Sequence, residues 1–365
     1  MAKGNKTSVS RFFALPIFAL IILAIAWSTS PPNWTLSLLG VLLIVTVFTA
    51  VHHAEVIALR VGEPFGSLIL ALAVTIIEVG MIVVLIWGSP NPNENLARDT
   101  VFAAIMITTN GIIGIALLVK TLQQKTAVFN ANGVSGALAA IVALSVLTLV
   151  LPSVTTSSPG PTFTKIQLVF AAIVSLAIYI TFITVQTVRH RDYFLPPPKE
   201  DQTIPEESHV QPPTTKAALQ SFAGLVISLI AVVGLAKVTS PLVQGVVDDY
   251  GLPQMLVAIS IALVVLLPES ISAIKSARYG RTQTSLNLAY GSALASIGLT
   301  IPVIALISLF SQYQFNLGLK PTEIVLLALT FLVSILTVVP GRATLLQSII
   351  HLSIFGSFLM FAATP

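Results

Sequence analysis

The sequence contains no cysteine among its 365 residues. That excludes a disulfide framework, a thiolate metal site and a cysteine nucleophile. Charge is nearly as scarce, with Asp, Glu, Lys and Arg making up 9% of the chain, against about 25% in an ordinary soluble domain. So few charges cannot cover the surface of a soluble body this large. The signatures HExxH, GxxxxGK[ST] and GxGxxG are missing as well. Neither a zinc hydrolase nor a nucleotide-driven machine is therefore indicated by motif.

What the chain has in abundance is apolar length. Hydrophobic residues make up 55% of it and the mean hydropathy is +0.94. Runs of roughly 20 apolar residues cross a bilayer as helices. These runs do not alternate apolar with polar residues, as a membrane barrel requires. The expected fold is an all-α membrane protein with eleven transmembrane helices, solvated by membrane lipid. The spans fall at about 12–29, 34–58, 64–88, 98–120, 135–153, 166–188, 217–239, 253–275, 282–310, 321–340 and 343–362. The first follows Lys3, Lys6 and Arg11 as a signal peptide would, but it is span-length and lacks a small-residue cleavage site, so it reads as a retained helix. Pro340-Gly341 supplies the tight turn between the last two.

The net charge of +4 does not point to nucleic acid, because the basic residues sit in short loops, where they report orientation. With a cytoplasmic N-terminus, all of the 18 Lys and Arg except Arg98, Lys165, Lys237 and Lys320 fall on the cytoplasmic side. The C-terminus then lies on the opposite side. Residues 189–216 contain six prolines and mixed charge and read as a flexible cytoplasmic linker.

This linker separates two similar halves. Gly62-Glu63-Pro64 precedes an apolar run bearing Glu78, and Gly251-Leu252-Pro253 precedes one bearing Glu269. The glutamates follow their prolines by 14 and 16 residues, each on the second helix of a five-helix set. An odd number of helices per set makes the second copy enter from the opposite face, an inverted repeat of the kind found in secondary transporters. The organisation expected is an N-terminal helix (1–32), a first repeat (33–188), the linker (189–216) and a second repeat (217–365).

Glu78 and Glu269 are the acids placed well inside apolar spans, where a carboxylate costs several kcal/mol (roughly 2.5–3.5 on insertion scales). Such groups are functional by default; the alternative is a glutamate neutralised for packing. Pro268 directly precedes Glu269 and removes one backbone donor, freeing a carbonyl as a hard oxygen ligand or simply kinking the helix. Span 4 carries Thr108-Thr109-Asn110-Gly111, and span 9 carries Ser292, Ser296 and Thr300. These hydroxyls and amides either line a cavity or glue helices together. His351, in the last span, either shuttles protons or holds a packing hydrogen bond. His52, His53 and Glu55 form an interfacial cluster or a cation funnel at the end of span 2.

The stretches HHAEVIALRVGEPFGSLILALAVTIIEVGMIV and PESISAIKSARYGRTQTSLNLAYGSALASIGLTIPVI resemble the two α-repeats of the calcium/cation antiporter superfamily. The nearest likeness is to the bacterial CAX-like calcium/proton antiporters that also exchange sodium or potassium. It covers roughly residues 50–365 and includes GRATLLQSIIHLSIF as the last helix. The resemblance implies a 5+5 inverted repeat after an N-terminal helix, a bacterial plasma (inner) membrane and no cofactor. It assigns Glu78 and Glu269 as the essential glutamates and puts Ser292 and Asn110 on the family's Gly-Ser and Ser-Asn elements. Thr109 replaces the serine of the second element. The amides that usually precede the glutamates are absent; Val74-Thr75-Ile76-Ile77 and Val265-Leu266-Leu267-Pro268 stand there.

The function expected is secondary exchange of Ca²⁺, Na⁺ or K⁺ for H⁺ by competition at the paired glutamates. A proton-independent exchanger or a cation channel is the alternative. An intramembrane enzyme needs a nucleophile or metal constellation that the residues do not assemble.

Overall fold

The computed structural model describes residues 6–29, 31–62, 65–88, 93–196, 213–311 and 313–365. Lys3, Glu63, Pro64 and linker residues 197–212 lie outside the described residues.

Among the described residues, eleven long helices follow one another: α1 Lys6–Trp27, α2 Asn33–Val61, α3 Phe65–Gly88, α4 Leu96–Gln124, α5 Ala131–Val154, α6 Lys165–Arg189, α7 Thr215–Asp249, α8 Met255–Arg278, α9 Thr282–Phe310, α10 Pro321–Val338 and α11 Leu345–Ala363. Each overlaps one predicted span. Ten are long and apolar enough to cross a membrane, and Ala14–Trp27 of α1 is a shorter apolar helix. Helices form because hydrocarbon offers no partner for a backbone N–H or C=O, so each span must bond to itself. Hydroxyls within the spans follow the same rule. Thr46 donates to the Leu42 carbonyl and Ser228 to that of Gly224, both at 2.7 Å. A Ser or Thr can thus be buried in a span without a neighbour to bond.

The expected repeat has a local backbone signature. Gly62 ends α2 with φ 74°, and Gly251 follows α7 with φ 61°. Both glycines adopt the positive φ that a side chain disfavours, at equivalent points of the two sequence matches. Helix α7 runs ten residues past its predicted end at 239. Pro241 lies in this extension; it removes only one donor and the helix continues through it.

The helices form two compact units, residues 1–92 with 198–250 and residues 93–197 with 251–365. Each unit takes helices from both sequence repeats. In the first, α7 packs along α1, α2 and α3. Small residues sit at these crossings: a Cβ on Gly224 would lie 2.5 Å from His53 Nε2, and one on Gly80 would lie 2.7 Å from Val233.

In the second unit α4 is the axis. Its 18-residue apolar window is 89% buried, the highest value among the ten candidate spans. It packs against α8, α9 and α11, while α9 also packs on α5 and α6. Two three-residue strands, β1 (Thr126–Val128) and β2 (Arg342–Thr344), form an antiparallel ladder in the α4–α5 and α10–α11 connections. This ladder was not read from the sequence, where only the Pro340-Gly341 turn was evident. Gly341 makes that turn, with φ 66°.

Candidate functional site

In the first unit, Glu78 lies on α3 and is 3% exposed. Thr75, three residues earlier and on the same helical face, is also buried, and its hydroxyl makes no hydrogen bond among the described residues. On α2, His53 is buried against α7 at Gly224, His52 is half-buried and Glu55 is exposed.

The second unit holds the other candidates. Glu269 lies on α8, 7% exposed, directly after the buried Pro268 within an unbroken helix. Helix α8 packs along α4 and α9, the helices that carry the remaining hydroxyls and amides. Ser292 on α9 is half-buried and Ser296 is buried.

Thr109 and Asn110 sit in a π-helical stretch, Ile107–Ile112, within α4. Such wide turns are frequent at functional sites, and they leave carbonyls short of their usual partners. Here side-chain hydroxyls supply bonds. Thr108 donates to the carbonyls of Ala104 at 2.7 Å and Ile105 at 3.0 Å, and Thr109 donates to that of Ile105.

Asn110 reaches outward from this turn. Its Nδ2 donates to Thr330 Oγ1 on α10 at 2.9 Å, and its Oδ1 meets His351 Nδ1 on α11 at 3.1 Å. His351 Nε2 then meets Thr337 Oγ1 at 3.1 Å. The backbones can approach because α4 carries Gly111 and Gly114 opposite Phe355, Leu352 and His351. A polar chain therefore runs Thr330–Asn110–His351–Thr337, with all four residues no more than 2% exposed. Thr109, Asn110 and His351, singled out separately in the sequence, come together here. Thr330 and Thr337 were missed, although their seven-residue spacing puts two hydroxyls on one face of α10.

A second buried polar group was also missed. Arg98 and Asp99, in the first turn of α4, form an ion pair at 2.7 Å with side chains 3% and 7% exposed. Arg98 Nη1 also donates to the Gly318 carbonyl at 2.8 Å. The sequence placed Arg98 at the edge of span 98–120, as a charge reporting orientation; the structure encloses it. Among the described residues, no three His, Asp or Glu side chains gather where they could hold a metal ion.

The sequence pattern described as "Sodium/calcium exchanger protein" matches residues 32–188 and 220–364. The chain belongs to that family. It is an integral membrane cation exchanger, and two relatives match it nearly end to end. One is a Sinorhizobium fredii (strain NBRC 101917 / NGR234) protein provisionally named ionic transporter y4hA, 44% identical over 96% of this chain and 95% of that protein. The other is the sodium-potassium/proton antiporter ChaA of Escherichia coli (strain K12), 32% identical over 94% of each. The exchanger fold is also seen in native YfkE, with TM-score 0.72, 16% identity and coverage of 97% of this chain and 100% of that one. The H⁺/Ca²⁺ exchanger CAX gives the same TM-score and identity, covering 97% and 88%.

Proposed function

We propose that this exchanger is a secondary antiporter in which Ca²⁺, Na⁺ or K⁺ competes with protons at Glu78 and Glu269. The observation that carries the reading is the burial of one carboxylate in an apolar span of each unit, 3% and 7% exposed. A carboxylate so placed is costly as a free anion. It is stabilised either by a proton or by a cation, and the two exclude one another at the same oxygens. The printed activity of ChaA, sodium-potassium/proton antiport, agrees with this exchange.

Hard cations take oxygen ligands. Thr75 supplies a hydroxyl one turn from Glu78. Beside Glu269, Pro268 deprives the Val264 carbonyl of its usual donor, and Ser292, Ser296, Thr109 and Asn110 stand on the neighbouring α9 and α4. Protonation of the carboxylates releases the cation, and movement of the inverted-repeat helices exposes the acids to each face in turn. Lys and Arg asymmetry supports a cytoplasmic N-terminus and linker in a bacterial inner membrane, with the C-terminus on the opposite side.

The test is cation-evoked proton movement in vesicles, for the parent, Glu78→Gln and Glu269→Gln. Each glutamine keeps the shape and removes the titrating group, and both variants should lose coupled exchange. Coupling retained in both removes the carboxylates from the mechanism. Cation flux in the parent without proton movement overturns antiport in favour of a channel or a proton-independent exchanger.

A further inference from the structure

A cavity of about 750 Å³ opens in the second unit where the first turns of α4 and α10 meet the end of α11. Arg98, Asp99, Lys320 and Glu323 line it. These charges are balanced and partly spent on one another. Arg98 Nε and Nη2 both engage Asp99 Oδ1 at 2.7 Å, and Nη1 holds the Gly318 carbonyl. Glu323 folds back to accept the Lys320 backbone N–H at 2.8 Å. These four side chains put charge on one side of the cavity, yet its buried guanidinium is already committed, so it is poorly suited to an anionic ligand.

The inner end of the cavity is different in kind. Phe102, Leu326 and Phe358 border it. Phe102 and Phe358 meet edge to face, with ring centroids 5.6 Å apart at 87°. Both are almost completely buried, at 0% and 1% exposed. One helical turn deeper the surroundings become polar again. Thr330 lies a turn beyond Leu326 and donates to its carbonyl at 2.8 Å. Met106 lies a turn beyond Phe102, and its Sδ is 3.5 Å from Thr330 Oγ1 and 3.8 Å from Asn110 Nδ2. An open cavity bearing four charged side chains and an enclosed polar chain are thus separated by a thin apolar layer.

We propose that the cavity is an access vestibule through which water and small cations, protons included, reach the Thr330–Asn110–His351–Thr337 chain, and that the Phe102–Phe358 pair is the barrier between them. An apolar constriction of this type blocks ions by excluding water, and a ring rotation that wets it opens the path. The route deepens the antiport reading by giving the second unit its own passage. Its test reads accessibility rather than transport, so the failure of one idea is distinguishable from failure of the other.

The absence of cysteine makes the measurement direct, because a single introduced thiol is the only one present. Leu326→Cys places it above the barrier and Thr330→Cys below. The probe is a membrane-impermeant, positively charged methanethiosulfonate, applied to both membrane faces with the full-length protein in place. Leu326→Cys should be modified and Thr330→Cys protected. Adding Phe358→Ala should raise the rate at Thr330→Cys by about an order of magnitude, since the missing ring leaves a void. Phe102→Leu and Phe358→Leu keep an apolar side chain and provide the same reading if the alanine variant does not fold. Three results overturn the proposal: Leu326→Cys unreactive from either face, Thr330→Cys reacting as fast as Leu326→Cys in the parent, or Thr330→Cys protected in every folded phenylalanine variant.

Discussion

His351 Nδ1 lies 3.1 Å from Asn110 Oδ1, tying the last helix of the chain to the irregular turn of α4. The donors along the chain can be assigned in order. Thr330 gives its proton to the Leu326 carbonyl and accepts from Asn110 Nδ2. Asn110 then presents its oxygen to His351, which donates from Nδ1 and accepts from Thr337 at Nε2. A neutral imidazole satisfies every position.

Thr337→Val removes the last donor while preserving shape. Interhelical hydrogen bonds in membranes contribute about 0.6 kcal/mol on average and up to about 1.7. The variant should lose stability within that range, and His351→Ala should lose more, because it strands both Asn110 and Thr337. Thermal unfolding in detergent measures both. A Thr337→Val protein as stable as the parent removes this bond from the chain.

Two glycines of α7 should respond with opposite signs. A Cβ at Gly224 lands 2.5 Å from His53 Nε2, whereas at Gly245 it meets nothing within 4 Å. Gly224→Ala should cost about 1–3 kcal/mol through overpacking. Gly245→Ala should stabilise by about 0.5–1 kcal/mol, through the backbone freedom it removes. Equal effects on unfolding contradict the close approach of α7 to His53.

The Arg98–Asp99 pair invites a double-mutant cycle. Arg98→Met alone leaves a buried carboxylate uncompensated and should cost about 3–5 kcal/mol. Arg98→Met combined with Asp99→Leu should recover much of that loss, since an apolar pair avoids desolvating two charges. A double variant no more stable than Arg98→Met places the cost elsewhere, in the lost bond to Gly318.

If protons and cations compete at the same carboxylates, cation affinity must weaken as pH falls. A carboxylate binds a cation only when deprotonated. In the range where the site is protonated, the apparent KM for the transported cation should rise by about tenfold per pH unit for each proton displaced. A KM independent of pH, with transport intact, separates the proton from the cation site.

Most of the helical framework was legible because apolar length is a strong signal and lipid permits few alternatives to a helix. Glu78 and Glu269 stood out for the same reason, as charges where charge is expensive. The partners of Asn110 did not. Thr330 resembles any threonine of a membrane span until the fold sets it against a residue 220 positions away. The pairing of Arg98 with Asp99 at the start of span 98–120 was not evident because adjacent helical residues do not normally face each other, and the carbonyl of Gly318 that completes their site is equally distant in sequence. The grouping of α1, α2 and α3 with α7 was hidden too, since it crosses the boundary between the repeats.

The β1–β2 ladder has a mechanical consequence. Pairing Thr126 with Thr344 and Val128 with Arg342 clamps the α4–α5 hairpin to the α10–α11 hairpin at one end. A helical ratchet of one turn, about 5.4 Å, would tear that clasp apart. Pivoting of the two hairpins about the clasp would keep these hydrogen bonds, whereas sliding along one another there would cost them.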